Sequence, residues 1–268
     1  MPASRSSLAA PLAAIAVLGA LFACAPPAHA EGAGGPGDVR YNDANSDRVI
    51  LYSTAETHPA GTVFFSDYEI VLLQIGYAIT DSLQLSISGV PPLVSDQPYF
   101  FDVTAKLNLL RGDLFRAAVQ IAGDGLFVPN SNPSSVFGLR IGGIGQLCFQ
   151  PTCLSSLTLN AGTLLNNQLL NSGHTVLPIY LGAGLTLHAT DLIKILVEPN
   201  YAIAYGDGSI SGPHGFLLNY GIRLSGKQFG FDLAFVKPFG GDTSGGIVMG
   251  FPVISFTYRT EPPPAAPR

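Results

Sequence analysis

Hydrophobic and polar residues alternate with a period of two along most of this chain of 268 residues. In the stretch 175–188 the odd positions are almost all aliphatic, whereas the even positions are small or polar and end at His188. Such alternation predicts a β-strand with two unlike faces. A second run resumes after Asp191 and carries Lys194 and Glu198 on its polar face. The two runs therefore predict a hairpin, and the glycines and prolines within them argue against a helix.

The same period recurs along the chain and predicts about twelve strands. They are expected at 48–53, 63–79, 82–91, 98–110, 114–126, 135–148, 154–164, 175–189, 191–205, 215–225, 228–238 and 248–259. The alternation breaks at Glu69 and at the pair Gly142 and Gly143, where we expect β-bulges. Short connections alternate with longer loops rich in glycine and proline, so the turns are expected at one end and the loops at the other.

The composition favours strands that face lipid. Hydrophobic residues make up 47% of the chain and charged residues only 12%, with a mean hydropathy of +0.34. An ordinary soluble domain is about 25% charged. The second face of each strand carries Gly, Ser, Thr and Asn, whereas a soluble β-sandwich, the alternative, would show Lys and Glu there. The net charge of −5 argues against a nucleic-acid partner.

Both termini differ from the alternating region, which we assign to 47–259. Residues 1–30 are expected to be a signal peptide, since an apolar stretch precedes a small-residue cleavage site at Ala28 to Ala30. An alternative is a lipoprotein signal in which Cys24 is lipidated. Past the signal, no apolar run reaches the roughly 18 residues that a membrane helix needs. Residues 31–46 are expected to be a flexible lead-in, and the Pro-rich residues 260–268 a periplasmic tail.

The alternating strands, the even strand count and the short turns at one end resemble the Gram-negative outer-membrane β-barrel superfamily, without a motif of any narrower family. The last run, FPVISFTYR, is similar to the closing strand that the barrel assembly machinery recognises. The resemblance implies an all-β fold, an antiparallel up-and-down transmembrane β-barrel of about twelve strands. It also implies a location in the outer membrane, with outer-membrane lipid and the assembly machinery as partners.

Cys148 and Cys153 flank a short turn in an exported chain, and they are therefore expected to form a disulfide. Because no pair of histidines lies nearby, we expect no metal site.

No residues are assigned to catalysis, and neither an enzyme nor a cofactor is expected. The outer-membrane phospholipases carry a compact nucleophile motif that has no counterpart here. The stretch Gly208 to Gly212 only superficially resembles a nucleophile elbow, since its spacing is wrong. His58, His174 and His214 fall in or beside loops, and His188 ends a strand. A lipid-modifying enzyme is therefore the least favoured interpretation.

Charged residues on the polar faces are the strongest functional signal. Eight of them are expected to face the lumen: Asp102, Lys106, Arg116, Arg140, Lys194, Glu198, Arg223 and Asp232. Such charges either pair across a filled lumen or line a water path for small solutes. The first function expected is a small porin-like channel or solute-binding pore. The alternative is a non-conducting structural barrel of the envelope.

Overall fold

A computed structural model describes residues 38–69, 72–91, 97–130, 135–166, 176–206, 209–239 and 249–261. The expected signal peptide, Cys24, residues 31–37 and most of the expected tail lie outside these ranges. The described residues contain one short helix, α1 (Val39–Asn42), and twelve strands. The strands are β1 (Val63–Tyr68), β2 (Leu72–Ala78), β3 (Leu83–Val90), β4 (Tyr99–Arg111), β5 (Phe115–Phe127), β6 (Ser135–Cys148), β7 (Ser156–Asn166), β8 (Val176–His188), β9 (Ile193–Gly206), β10 (Ser209–Ser225), β11 (Phe229–Phe239) and β12 (Phe251–Arg259).

The twelve described strands close into one antiparallel barrel. Each strand pairs with its neighbours in the chain, and β1 pairs with β12 in a register that runs from Phe64 opposite Arg259 to Tyr68 opposite Ser255. Closure gives every strand two partners, so no edge of the sheet is left unpaired. The predicted all-β, up-and-down barrel of about twelve strands is confirmed. No helix among the described residues is long and apolar enough to cross a membrane.

Two predicted strands were wrong, although their errors cancel in the strand count. Residues 48–53 are not a barrel strand, and the run 63–79 is a hairpin of β1 and β2. Glu69, between these strands, has a φ of 59°. The break in alternation there therefore marks a turn and not the expected bulge.

The bulge expected at Gly142 and Gly143 is also absent, since the pairing of β6 continues through both residues without a shift. In the described sheet, register shifts occur between Asn108 and Leu110 and between Ser211 and Gly215.

The two faces of the barrel differ as the alternation predicts. Large aliphatic and aromatic side chains are exposed on the outer face of every strand from β1 to β12, among them Phe65, Ile75, Ile87, Val103 and Ile254. The polar positions of the same strands are buried inside the barrel. An outer surface of this kind is suited to hydrocarbon, because the closed sheet has already satisfied the backbone groups.

Residues 38–62, which we call the lumen segment, lie inside the barrel. Their side chains and backbone hydrogen-bond to strands around the whole circumference: β1, β3 to β7 and β9 to β12. A segment that touches strands on all sides of a closed barrel must lie within it. The sequence predicted a flexible lead-in over 31–46, but residues 38–46 are almost entirely buried. Their charges and amides find partners on the lumen wall that no neighbouring residue in the chain could supply.

The lumen segment hydrogen-bonds to the end of the barrel that carries the connections 79–82, 112–114, 149–155, 189–192 and 226–228, here called the turn end. The Val39 amide donates to Thr152 O at 2.9 Å, and the Ala44 amide donates to Gly226 O at 2.9 Å. From there the segment rises into the lumen and folds back through an antiparallel bridge between Arg48 and Ser53. Leu51, at the tip of this fold, is exposed and lines a cavity.

Candidate functional site in the plugged lumen

Asp43 of the lumen segment is held by two cations of the wall. Lys194 Nζ donates to Asp43 Oδ2 at 2.6 Å, and Arg223 Nη1 lies 3.4 Å from the same oxygen. Burial alone would raise the pKa of Asp43, but the charges of Lys194 and Arg223 together hold that pKa below its ordinary value. Asp43 is therefore ionised at neutral pH and compensates charge that the wall carries.

Arg223 of β10 binds both the neighbouring wall strand and the lumen segment. Its Nε and Nη2 atoms donate to the two carboxylate oxygens of Asp232 at 2.7 and 2.9 Å, a bidentate pair on neighbouring strands. Its Nη1 atom also donates to Asn45 O at 2.7 Å and to Arg48 O at 3.1 Å. One guanidinium thereby joins β10 and β11 to the backbone of the lumen segment.

Glu198 of β9 binds the tip of the lumen segment. Its Oε2 atom accepts the backbone amides of Ile50, Leu51 and Tyr52 at 2.9, 3.0 and 3.0 Å. Its Oε1 atom accepts from Asn219 Nδ2 at 2.8 Å. Glu198 is fully buried, so these charge-assisted bonds are what makes its burial tolerable.

His58 lies fully buried between the segment and the wall. Its Nδ1 atom is 3.3 Å from Nη1 of Arg259, and its Nε2 atom is 3.6 Å from Oδ1 of Asp47. Arginine can only donate, so Nδ1 must accept and the imidazole must be neutral. Burial lowers the pKa of His58 to about 3, and the charges of Arg259, Lys106 and Arg48 act in the same direction against Asp47.

Lys106 and Arg116 are two further charged wall residues that contact the segment. Lys106 Nζ donates to Asp47 O at 3.0 Å. Arg116 pairs with two acids of the segment: its Nη1 atom is 2.5 Å from Glu56 Oε1, and its Nη2 atom is 3.1 Å from Asp38 Oδ2.

Beside the lumen segment lies a cavity of about 430 Å³, which Asp47, Arg48, Leu51 and Ser53 of the segment line together with residues of the wall. Its wall includes Asp102 and Arg140, whose Oδ2 and Nη2 atoms are 2.5 Å apart. The same Nη2 atom lies 3.2 Å from Asp124 Oδ1, while Ser88 and Thr104 donate to Asp102 Oδ1 at 3.3 and 2.7 Å. The other lining residues include hydroxyl and amide side chains of Tyr68, Gln74, Gln84, Ser86 and Gln120.

No family model matches the sequence, and no curated protein matches it. Among solved structures, a KdgM porin is similar with a TM-score of 0.51 and 11% identity, over 74% of this chain and 98% of that chain. LpxR from Salmonella typhimurium is similar over 74% of this chain and 99% of that one, with 10% identity and a TM-score of 0.41. OmpT of Vibrio cholerae gives 12% identity and a TM-score of 0.36, over 70% of this chain and 64% of that one.

This chain has the fold of the outer-membrane β-barrels. At 11% identity the likeness to the KdgM porin concerns the fold alone, and the other two likenesses, below a TM-score of 0.5, carry no argument. The Gram-negative outer membrane predicted from the sequence agrees with this fold and with the apolar outer surface.

The structure divides the eight predicted lumen residues into two groups. Six contact the lumen segment directly: Lys106, Arg116, Lys194, Glu198, Arg223 and Asp232, the last through Asn45 Nδ2 at 3.2 Å. Asp102 and Arg140 instead pair with each other at the cavity. All are buried except Arg140, whose side chain is 35% exposed.

Sequence reasoning missed the inner half of this arrangement. Asp38, Arg40, Asp43, Asp47 and Arg48 place five charges within eleven positions of a chain that is only 12% charged. That density was the available signal, because charges on a wall need partners of opposite sign. Asp124 was missed as well, since it follows Gly123 on a strand where the polar pattern is weak.

Among the residues that the structure describes, the remaining candidates do not assemble into a site. His188 Nε2 lies 3.6 Å from Asp191 Oδ1 at an exposed turn. His174 and Gly208 lie outside the described residues, and His214 belongs to β10 by its backbone. The predicted disulfide between Cys148 and Cys153 is present.

Proposed function

We propose that this chain is a porin-like, solute-binding outer-membrane barrel whose lumen is closed at the turn end by its own N-terminal segment. The observation that carries the proposal is the seat of the segment's tip, where Glu198 accepts three successive backbone amides. A carboxylate that binds backbone amides holds the segment in place whatever side chains the segment carries there. The segment therefore acts as a plug with a defined seat.

The cavity beside the lumen segment supports solute binding. It offers hydroxyl, amide and charged groups in a space of about 430 Å³, and such a combination suits a small polar molecule. The lining carries three acids and three bases, namely Asp47, Glu69 and Asp102 with Arg48, Lys106 and Arg140. Because these charges balance, an uncharged, hydroxyl-rich solute fits the cavity better than an ion. We infer that solutes enter the cavity first and pass only when the plug leaves its seat.

The seat is tested by Glu198→Gln. The amide keeps the shape of Glu198 but removes the charge that three amide donors share, and a hydrogen bond to a charged group contributes about 1.5–3 kcal/mol. We expect the folded wild-type barrel to be closed in planar bilayers, and the variant to open at least tenfold more often. Heat-modifiable migration on unboiled gels verifies folding of each protein.

Asp102→Asn is the matched control, because it makes the same acid-to-amide change without touching the lumen segment. We expect the Asp102→Asn variant to be as closed as the wild type in planar bilayers. When Asp102→Asn is combined with Glu198→Gln, we expect it to change only the uptake of small neutral sugars, measured by liposome swelling. If folded Glu198→Gln barrels stay silent at every voltage and pass no sugar, the proposed pore is wrong. The non-conducting structural barrel then becomes the better interpretation.

A further inference from the structure

The disulfide of Cys148 and Cys153 lies against the foot of the lumen segment. Both cysteines are buried and pack with Val39 of α1. Glu56, which also belongs to the segment, approaches the same place from inside the lumen. One carboxylate oxygen of Glu56 and the two sulfur atoms all lie within 4.8 Å of one another.

Glu56 is an unusual neighbour for a disulfide. Its side chain is fully buried, and its Oε1 atom pairs with Arg116. Its other oxygen, Oε2, makes no hydrogen bond to any described residue. A buried carboxylate oxygen without a partner is costly, and it therefore points to an interaction that the oxidised cysteines do not offer.

We propose that the reduced form of this cysteine pair, together with Glu56, is a Zn²⁺ site that ties the lumen segment to the barrel wall. Thiolate and carboxylate oxygen are both ordinary zinc ligands, and a solvent water completes four-fold coordination. Gln146 supports thiolate at this position, because its Nε2 atom lies 3.5 Å from Cys153 Sγ and can donate to it. The inference does not depend on solute binding or conduction.

The chemistry is a two-electron reduction followed by metal exchange for protons. A small dithiol gives two electrons and two protons to the sulfur–sulfur bond and becomes a disulfide itself, leaving the thiols of Cys148 and Cys153. Zn²⁺ then replaces the two thiol protons, which pass to solvent. The two thiolates neutralise the metal charge, and the Glu56 carboxylate keeps its pairing with Arg116.

The switch changes what the cysteines hold together. In the oxidised protein the bond joins two residues of the wall, on either side of the turn 149–155. In the reduced, zinc-bound protein the metal joins both cysteines to Glu56, so that the wall holds the segment. The spacing of residues in the sequence could not predict this site, because Glu56 reaches the cysteines only when the segment is inside the barrel.

The test uses the folded full-length mature protein, reduced with a dithiol that is then removed without oxygen, and titrated with Co²⁺ as a spectroscopic substitute for Zn²⁺. We expect one equivalent of Co²⁺ to give a thiolate-to-metal charge-transfer band that Zn²⁺ abolishes. The oxidised protein should show no band. Glu56→Gln should weaken the affinity at least tenfold, since it replaces the anionic ligand by an amide.

Asp38→Asn is the control for Glu56→Gln, because it breaks the other ion pair of Arg116 without removing a ligand of the proposed metal site. It should bind Co²⁺ as the wild type does. If the reduced, folded protein gives no thiolate band, or if Glu56→Gln and Asp38→Asn bind equally well, the site as proposed is wrong. Heat-modifiable migration of each reduced variant distinguishes loss of the site from loss of the fold.

Discussion

At the scale of single residues, the lumen keeps its charges buried by pairing nearly all of them. Arg223 meets Asp232, Asp43 and backbone carbonyls, and Glu198 meets backbone amides and an asparagine. Transferring one such charge from water without a partner would cost several kcal/mol. Because the partners lie on the lumen segment as well as on the wall, pairing fixes the position of the segment.

His58 is the residue at which this pairing depends on pH. Its pKa in the folded protein is about 3, compared with an ordinary 6.5. Between these values the unfolded state takes up a proton that the folded state does not. The stability that buried, neutral His58 allows is therefore fully present above about pH 6.5, and it is lost as the pH falls towards 3.

We expect the barrel to lose up to about 2 kcal/mol of stability between about pH 6.5 and pH 5 through His58, since each pH unit contributes at most about 1.4 kcal/mol. Urea titrations followed by tyrosine fluorescence in micelles at the two pH values measure this slope. His58→Gln should flatten it, whatever its effect on stability at neutral pH. An unchanged slope in that variant would show that other groups cause the pH dependence.

At the scale of elements, the lumen segment behaves as a part of the core rather than as a terminal arm. Val49 and Ile50 pack with Leu196 of β9 and Ala234 of β11, a small apolar cluster inside an otherwise polar lumen. Val49 also lies against Gly184 of β8, where an added Cβ would be 3.2 Å from Val49 Cβ. The absence of a side chain at Gly184 is therefore what lets the segment approach β8 so closely.

This contact offers a lock for the proposed plug. The Cβ separation is close to the roughly 3.5–4.5 Å that a disulfide requires, so Val49→Cys together with Gly184→Cys should form a crosslink on oxidation. In the Glu198→Gln background we expect the oxidised double variant to abolish the openings that Glu198→Gln causes. Each single cysteine variant serves as the control and should still open. Continued openings of a fully crosslinked barrel would mean that the current does not pass the plug.

At the scale of the whole molecule, the barrel is wide enough to need filling. Eight strands give a barrel that side chains can fill, whereas sixteen or more leave a channel. Twelve strands lie between these cases, and here a segment of the same chain occupies the turn end. The outer face, in contrast, is uniformly apolar along the strands, as lipid contact requires.

The outer face is tested by one substitution at two depths. Ile75 lies mid-strand in β2 between Phe65 and Ile87, and Leu192 lies in a turn; their exposed fractions are similar, 52% and 57%. Ile75→Arg should cost about 2–4 kcal/mol, and Leu192→Arg about 0–1 kcal/mol, because the cost of arginine falls towards the membrane interface. Urea titrations in lipid vesicles, scored by heat-modifiable migration, measure both. Equal costs would argue against Ile75 facing hydrocarbon.

The sequence by itself determined the all-β barrel of about twelve strands, with an apolar and a polar face on each strand, because period-two alternation is a local property of an extended chain. It also placed Cys148 and Cys153 at a turn where they could pair. It misread Arg48 to Ser53 as a strand, since a short alternating run looks the same inside a lumen as in its wall. Only the tertiary structure decided that Asp43, Glu56 and His58 fill the lumen. Their partners come from strands far away in the chain, and barrel closure alone brings those strands around one axis.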